Sequence, residues 1–140
     1  MEWRHFTLAE MTKSQTAKHL GIDNTPSKEA EIYLDDLVTN VLDPLREAWG
    51  YPIKVTSGYR CEKLNKAVGG VASSQHMKGQ AADIQPIKYK DIDKFINFVK
   101  GWCMHNVFDQ CIIEKSRTGK WIHISYNKGK NRKKLFNLNV

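Results

Sequence analysis

The segment Ser74-Gln75-His76-Met77-Lys78-Gly79-Gln80-Ala81-Ala82-Asp83 holds a histidine and an aspartate with six residues between them. Imidazole nitrogen and carboxylate oxygen both bind zinc at about 2.0–2.2 Å. Gly79 allows a sharp turn, so a loop histidine and a strand aspartate can converge on one ion. Ala81 and Ala82 are small enough for backbone to pack closely beneath such a site. A catalytic zinc needs a third protein ligand and an open position for water. Trp121-Ile122-His123-Ile124-Ser125 offers that ligand. Strand alternation puts His123 on one face with Trp121 and Ser125, and Ile122 and Ile124 on the other. A histidine among β-branched residues is more often a hydrogen-bonded core residue. The His76–Asp83 pair is what makes His123 a ligand candidate.

Hydrolysis at such a metal needs a group to take the proton of the attacking water. Glu114 is the candidate. If Lys115 lies opposite Lys120 in a hairpin, Glu114 faces Trp121 and shares the His123 face, one diagonal step away. A one-residue slip would turn it to the other face. The plain alternative is a surface carboxylate paired with Lys115 or Lys120. Ser57-Gly58-Tyr59-Arg60 is a further constellation. Arg60, after a strand and a glycine, can project into a cleft to clamp a carboxylate or steady an oxyanion. Its alternative is a solvated loop arginine. His5, His19 and His105 have no partner at ligand spacing and read as surface or core residues.

Several elements must position these residues. The first twenty-odd residues read as an irregular arm with a short helical turn. Thr25 is the expected N-cap of a helix with Pro26 in its first turn. Ala30, Leu34, Leu37, Val38, Val41, Leu42, Leu45, Ala48 and Trp49 form one apolar stripe, ended by Gly50. Pro44 should kink that helix, or restart it with Asp43 as a new cap. Strands are expected over 53–56 and 81–85, helices over 62–68 and 91–103, and a hairpin from 110–115 to 120–126. The fold class is α+β: a small, mainly antiparallel sheet with helices packed against it. Length points to one domain over 1–140, with a basic end from about 128 expected to be mobile.

Three cysteines without CxxC spacing argue against a disulfide framework or a cysteine-rich zinc site. Twenty-two basic and fifteen acidic residues give a net charge of +7 and suggest a polyanionic partner, either nucleic acid or a bacterial wall. The basic run Lys128 to Lys134 has no interleaved aromatics, which speaks against nucleic-acid recognition. No apolar run is long enough to span a membrane. The start Met1-Glu2-Trp3-Arg4-His5 does not read as an ordinary signal peptide.

With Ser57-Gly58-Tyr59-Arg60, the Ser-x-His-x-x-Gly-x-Ala-x-Asp pattern of 74–83 and Trp121-Ile122-His123 in this order, the chain resembles a known family. It is similar to the VanY-type zinc D-Ala-D-Ala carboxypeptidases and phage endolysin peptidases. These lie within the lysostaphin, D-Ala-D-Ala metallopeptidase and hedgehog superfamily. The resemblance runs from about Phe6 to about Lys134. It implies one zinc ion held by His76, Asp83 and His123, with Arg60 touching the substrate or its transition state. It implies Ser74, Tyr59, Gln75 and Trp121 beside the substrate, which would be peptidoglycan stem peptides. Action is then expected at the wall or periplasm, reached by phage lysis or an unseen route, and otherwise in the cytoplasm, with the chain as a monomer. One departure stands out. Some relatives carry the catalytic glutamate three residues before the last histidine, where this chain has Lys120. Other branches place it on the preceding strand, which matches Glu114. A zinc-bearing, non-catalytic wall- or protein-binding module is the competing expectation, and the direction of Glu114 separates the two.

Overall fold

The computed structural model describes residues 2–140. The N-terminal segment is more regular than an irregular arm. Two short helices, α1 (Leu8–Thr12) and α2 (Gln15–Leu20), are capped by the Thr7 and Ser14 hydroxyls, which accept from the Glu10 and Ala17 amides. Capping shifts these short segments toward helix, because it satisfies amides that a two-turn helix otherwise leaves free. Met11, fully buried, then packs the arm onto the core, and its carbonyl accepts from the Tyr59 amide at 2.7 Å.

The apolar stripe folds as a broken helix. Helix α3 (Lys28–Leu37) starts two residues later than Thr25 and Pro26 suggest. Ser27 is the cap, accepting from the Ala30 amide at 3.1 Å, while the Thr25 hydroxyl is spent on Asp23 at 2.6 Å. Near Pro44 the helix widens into a π segment, Val38–Leu42, before α4 (Asp43–Trp49). One extra residue in the turn relieves the clash of the proline ring with the preceding carbonyl. Asp43 is therefore no cap. It is helical and buried, and its carboxylate accepts from the Arg4 and His5 amides at 2.9 and 3.1 Å. Ala30, Leu34, Leu37, Val38, Val41, Leu42 and Leu45 are buried, and Gly50 closes the helix at φ 84°.

Strand β1 (Ile53–Ser57) leads through α5 (Glu62–Ala67) and a single 3₁₀ turn at Gln75–Lys78 to β2 (Ala81–Pro86). Helix α6 (Ile92–Cys103) follows, then the hairpin β3 (Gln110–Ser116) and β4 (Gly119–Ser125). The basic segment from about 128 leads into a further strand, β5 (Lys134–Asn139), which was not expected from the sequence. The sheet runs β1-β2-β4-β3-β5, antiparallel throughout except for the parallel β3–β5 pair. Ile84, Ile113, Ile122 and Ile124 face a core shared with Phe95 and Val99 of α6 and Leu34, Leu37 and Val41 of the broken helix. Cys61, Cys103 and Cys111 are free thiols. No helix among the described residues is long and apolar enough to cross a membrane.

Candidate active site

Register carries the site across the sheet. Ser57 pairs with Asp83, Asp83 with His123, and His123 with Ile112. Lys115 lies opposite Lys120, so Glu114 faces Trp121 and falls on the His123 face, as the hairpin reading requires. This face points away from the isoleucine core.

His76 sits in the 3₁₀ turn before β2. Ser74 caps that turn, its hydroxyl accepting from the His76 amide at 3.2 Å, and Gly79 ends it at φ 79°. A Cβ on Gly79 would also press within 2.5 Å of the Ala30 carbonyl oxygen, so the ligand loop lies directly on α3. The Ser57–Arg60 segment grips the same loop. The Arg60 amide donates to the His76 carbonyl at 3.1 Å. Nδ1 of His76 lies 2.7 Å from the Gly58 carbonyl, to which it donates. That bond fixes the ring and directs Nε2 at Asp83. A Cβ on Gly58 would collide with the Met11 carbonyl, so the arm, this segment and His76 are stacked in contact.

Asp83 Oδ1 lies 3.2 Å from His76 Nε2 and 3.2 Å from His123 Nδ1. One ligand atom from each residue lies within 4.8 Å of the others. Ligands at about 2.1 Å around a tetrahedral zinc stand about 3.4 Å apart, so both histidine–aspartate spacings fit. The chemistry fits as well. With Nδ1 donating to Gly58, Nε2 of His76 converges with Nδ1 of His123 on one Asp83 oxygen, and two imidazole nitrogens with a carboxylate oxygen are a donor set suited to zinc. Burial pushes the Asp83 carboxyl up, but the His76 charge and hydrogen bonds from His123 and His76 outweigh it. The carboxyl is held well below the ordinary range, ready to bind a cation. The two imidazoles meet edge to face, 5.1 Å between centroids.

A cleft of about 580 Å³ opens on these ligands and is lined also by Arg60, Ser74, Gln75 and Glu114. Among the described residues no lysine or arginine pairs with Glu114, and Lys120 instead holds Asp93 at 2.9 Å. The surface-pair alternative for Glu114 is thereby removed. Burial, then the Asp83 charge, raises the Glu114 carboxyl above its ordinary value, against the opposing pull of His123, Trp121 and His76. Trp121 flanks this carboxylate, and its buried indole N–H has no well-aligned acceptor. Arg60 is half-buried, and its Nε has no partner either. Burial lowers its pKa, while Asp83 and Glu114 oppose that.

Not every residue expected beside the substrate is free to touch it. Tyr59 is 8% exposed and belongs to the core, bordering only the flanking hollows. Its carbonyl and that of Thr12 are held by the Asn24 amide at 3.0 and 2.8 Å. The Ser74 hydroxyl is engaged as a cap. Gln75 donates to Asp109 at 2.7 Å. Asp109, completely buried, also accepts from Arg132 Nε and Nη2 at 2.8 and 2.9 Å. Asn24, Asp109 and Arg132 escape sequence reading because their partners lie far along the chain and no local spacing marks them.

A family model described as Peptidase M15 matches residues 4–125, a span that includes all three ligands, Arg60 and Glu114. The chain belongs to this family. M15 enzymes are zinc peptidases of the D-Ala-D-Ala carboxypeptidase and VanY type, so peptidase chemistry and zinc are the class of activity here. The α+β sheet with its ligand-bearing face is consistent with the M15 fold. No curated protein matches the chain. The M15 match stops before Arg132 and β5, which close one side of the cleft.

Proposed function

We propose that this M15 peptidase hydrolyses peptide bonds of bacterial peptidoglycan stem peptides, with one zinc ion held by His76, Asp83 and His123. The carrying observation is the meeting of three ligand atoms within 4.8 Å on a face that Glu114 shares. Zinc bound there would polarise the scissile carbonyl and acidify water. Glu114 accepts the water proton and passes it to the leaving nitrogen. Its place in the cleft, on the His123 face, suits a group that takes a proton from water and gives it to the leaving nitrogen. Arg60, which lines the cleft beside Asp83 and Glu114, steadies the oxyanion or a terminal carboxylate of the substrate. Glu114 in the cleft favours this reading over a metal-bearing module that only binds.

Glu114→Gln should keep its metal and lose roughly 10²–10⁴ in rate on muropeptides, the scale of lost general-base catalysis. Near-normal turnover by that variant would remove Glu114 from the mechanism. Whether the enzyme trims a terminal alanine or cuts a cross-link is read from fragment masses of digested peptidoglycan.

A further inference from the structure

The last strand is more than an edge. Leu138 pairs with Glu114 in the parallel β3–β5 ladder, and the Val140 amide donates to the Lys115 carbonyl at 2.9 Å. Residues paired across a ladder share a face, so Leu138 stands beside the carboxylate that faces the metal ligands. Leu138, Val140 and Ile112 line the same cleft as His76, Asp83, His123 and Glu114. Leu138 and Val140 remain 43% and 63% exposed. Edge strands are ordinarily guarded by charge, and solvent-facing aliphatic side chains beside a polar site mark a surface that something covers.

This wall is locked in place. Asp109 accepts from the Arg132 backbone amide at 3.0 Å as well as from its guanidinium. The Lys133 and Lys134 amides donate to the Phe108 and Asp109 carbonyls, each at 3.0 Å. The same Asp109 carboxylate holds Gln75, the neighbour of ligand His76. One buried acid thus ties the C-terminal strand to the ligand loop.

We infer that Ile112, Leu138 and Val140 form an apolar subsite that selects an aliphatic side chain on the substrate peptide. The inference rests on the peptidase reading above. Strands lie about 4.8 Å apart, and an extended peptide advances about 3.3 Å per residue. Leu138 on β5 lies two strands from His123 and three from Asp83, so a chain crossing the sheet from the ligands reaches it roughly three to four residues from the bond at the metal. The occupant is a segment of the peptide being cut, because the ledge is continuous with the ligand cleft.

The test is the double variant Leu138→Ser/Val140→Ser, chosen because both side chains are exposed enough for the fold to survive. On muropeptides its KM should rise roughly tenfold, as loss of an apolar contact predicts, with kcat and zinc content little changed. It should also lose the preference for alanine over aspartate at that substrate position. Unchanged KM and unchanged preference, with wild-type enzyme active, would overturn the subsite and leave the peptidase reading standing. Calorimetry of an uncleaved muropeptide on the Glu114→Gln background separates the two cases. Weaker binding after the serine changes supports the subsite even where turnover fails, and equal binding contradicts it.

Discussion

Asp83 joins the two histidines. Its Oδ1 is 3.2 Å from a nitrogen of each, and its carboxyl is held charged by them. Asp83→Asn preserves shape and removes the charge. It should weaken zinc binding more than the 10–100-fold typical of outer-sphere partners, as measured by competition with a chelating dye. Glu114→Gln should leave the same titration unmoved. That contrast separates a ligand from a base, two roles that carboxylates on one face can otherwise mimic. Asp109 is a third kind of acid. Hydrogen bonds from Arg132 lead the opposing effect of burial, and its pKa falls from 3.8 to about 2. A folded-state pKa below the unfolded one stabilises the fold above pH 3.8 and loses that contribution as pH falls toward 2. The stability advantage of wild type over Asp109→Asn, about 2 kcal/mol near neutrality, should therefore shrink across that window in denaturant titrations.

At the scale of elements, the ligand loop depends on Gly79. It holds φ 79° and faces the Ala30 carbonyl of α3. Gly79→Ala should cost about 2 kcal/mol or more in thermal unfolding, because strain and a backbone clash act together. The β3–β4 hairpin was legible from sequence, since an even loop at Ser116–Gly119 leaves alternation intact and delivers Glu114 and His123 to one face. Other elements were harder to see. Thr25 and Ser27 are both competent caps, and only the Asp23 side chain decides between them. The π turn ahead of Pro44 has no local signature beyond the proline itself. Strand β5 did carry a signal, the alternation Phe136-Asn137-Leu138-Asn139-Val140. Asparagine's poor strand propensity and the basic run before it obscured that signal.

In the whole molecule, the site draws on β1, the 3₁₀ turn, β2, β3 and β4, with the N-terminal arm stacked behind Gly58 and β5 closing one side. The histidines and Asp83 could be recognised by residue type and spacing. What anchors them could not, because Asn24, Asp109 and Met11 act across long separations that only the folded chain brings together. The central claim is that one metal ion at these ligands turns the fold into a peptidase. Titrating zinc into the metal-free protein while following muropeptide hydrolysis tests it most directly. The rate should climb to a break at one equivalent per chain. Absence of hydrolysis at every zinc level, or equal hydrolysis in excess chelator, would contradict it.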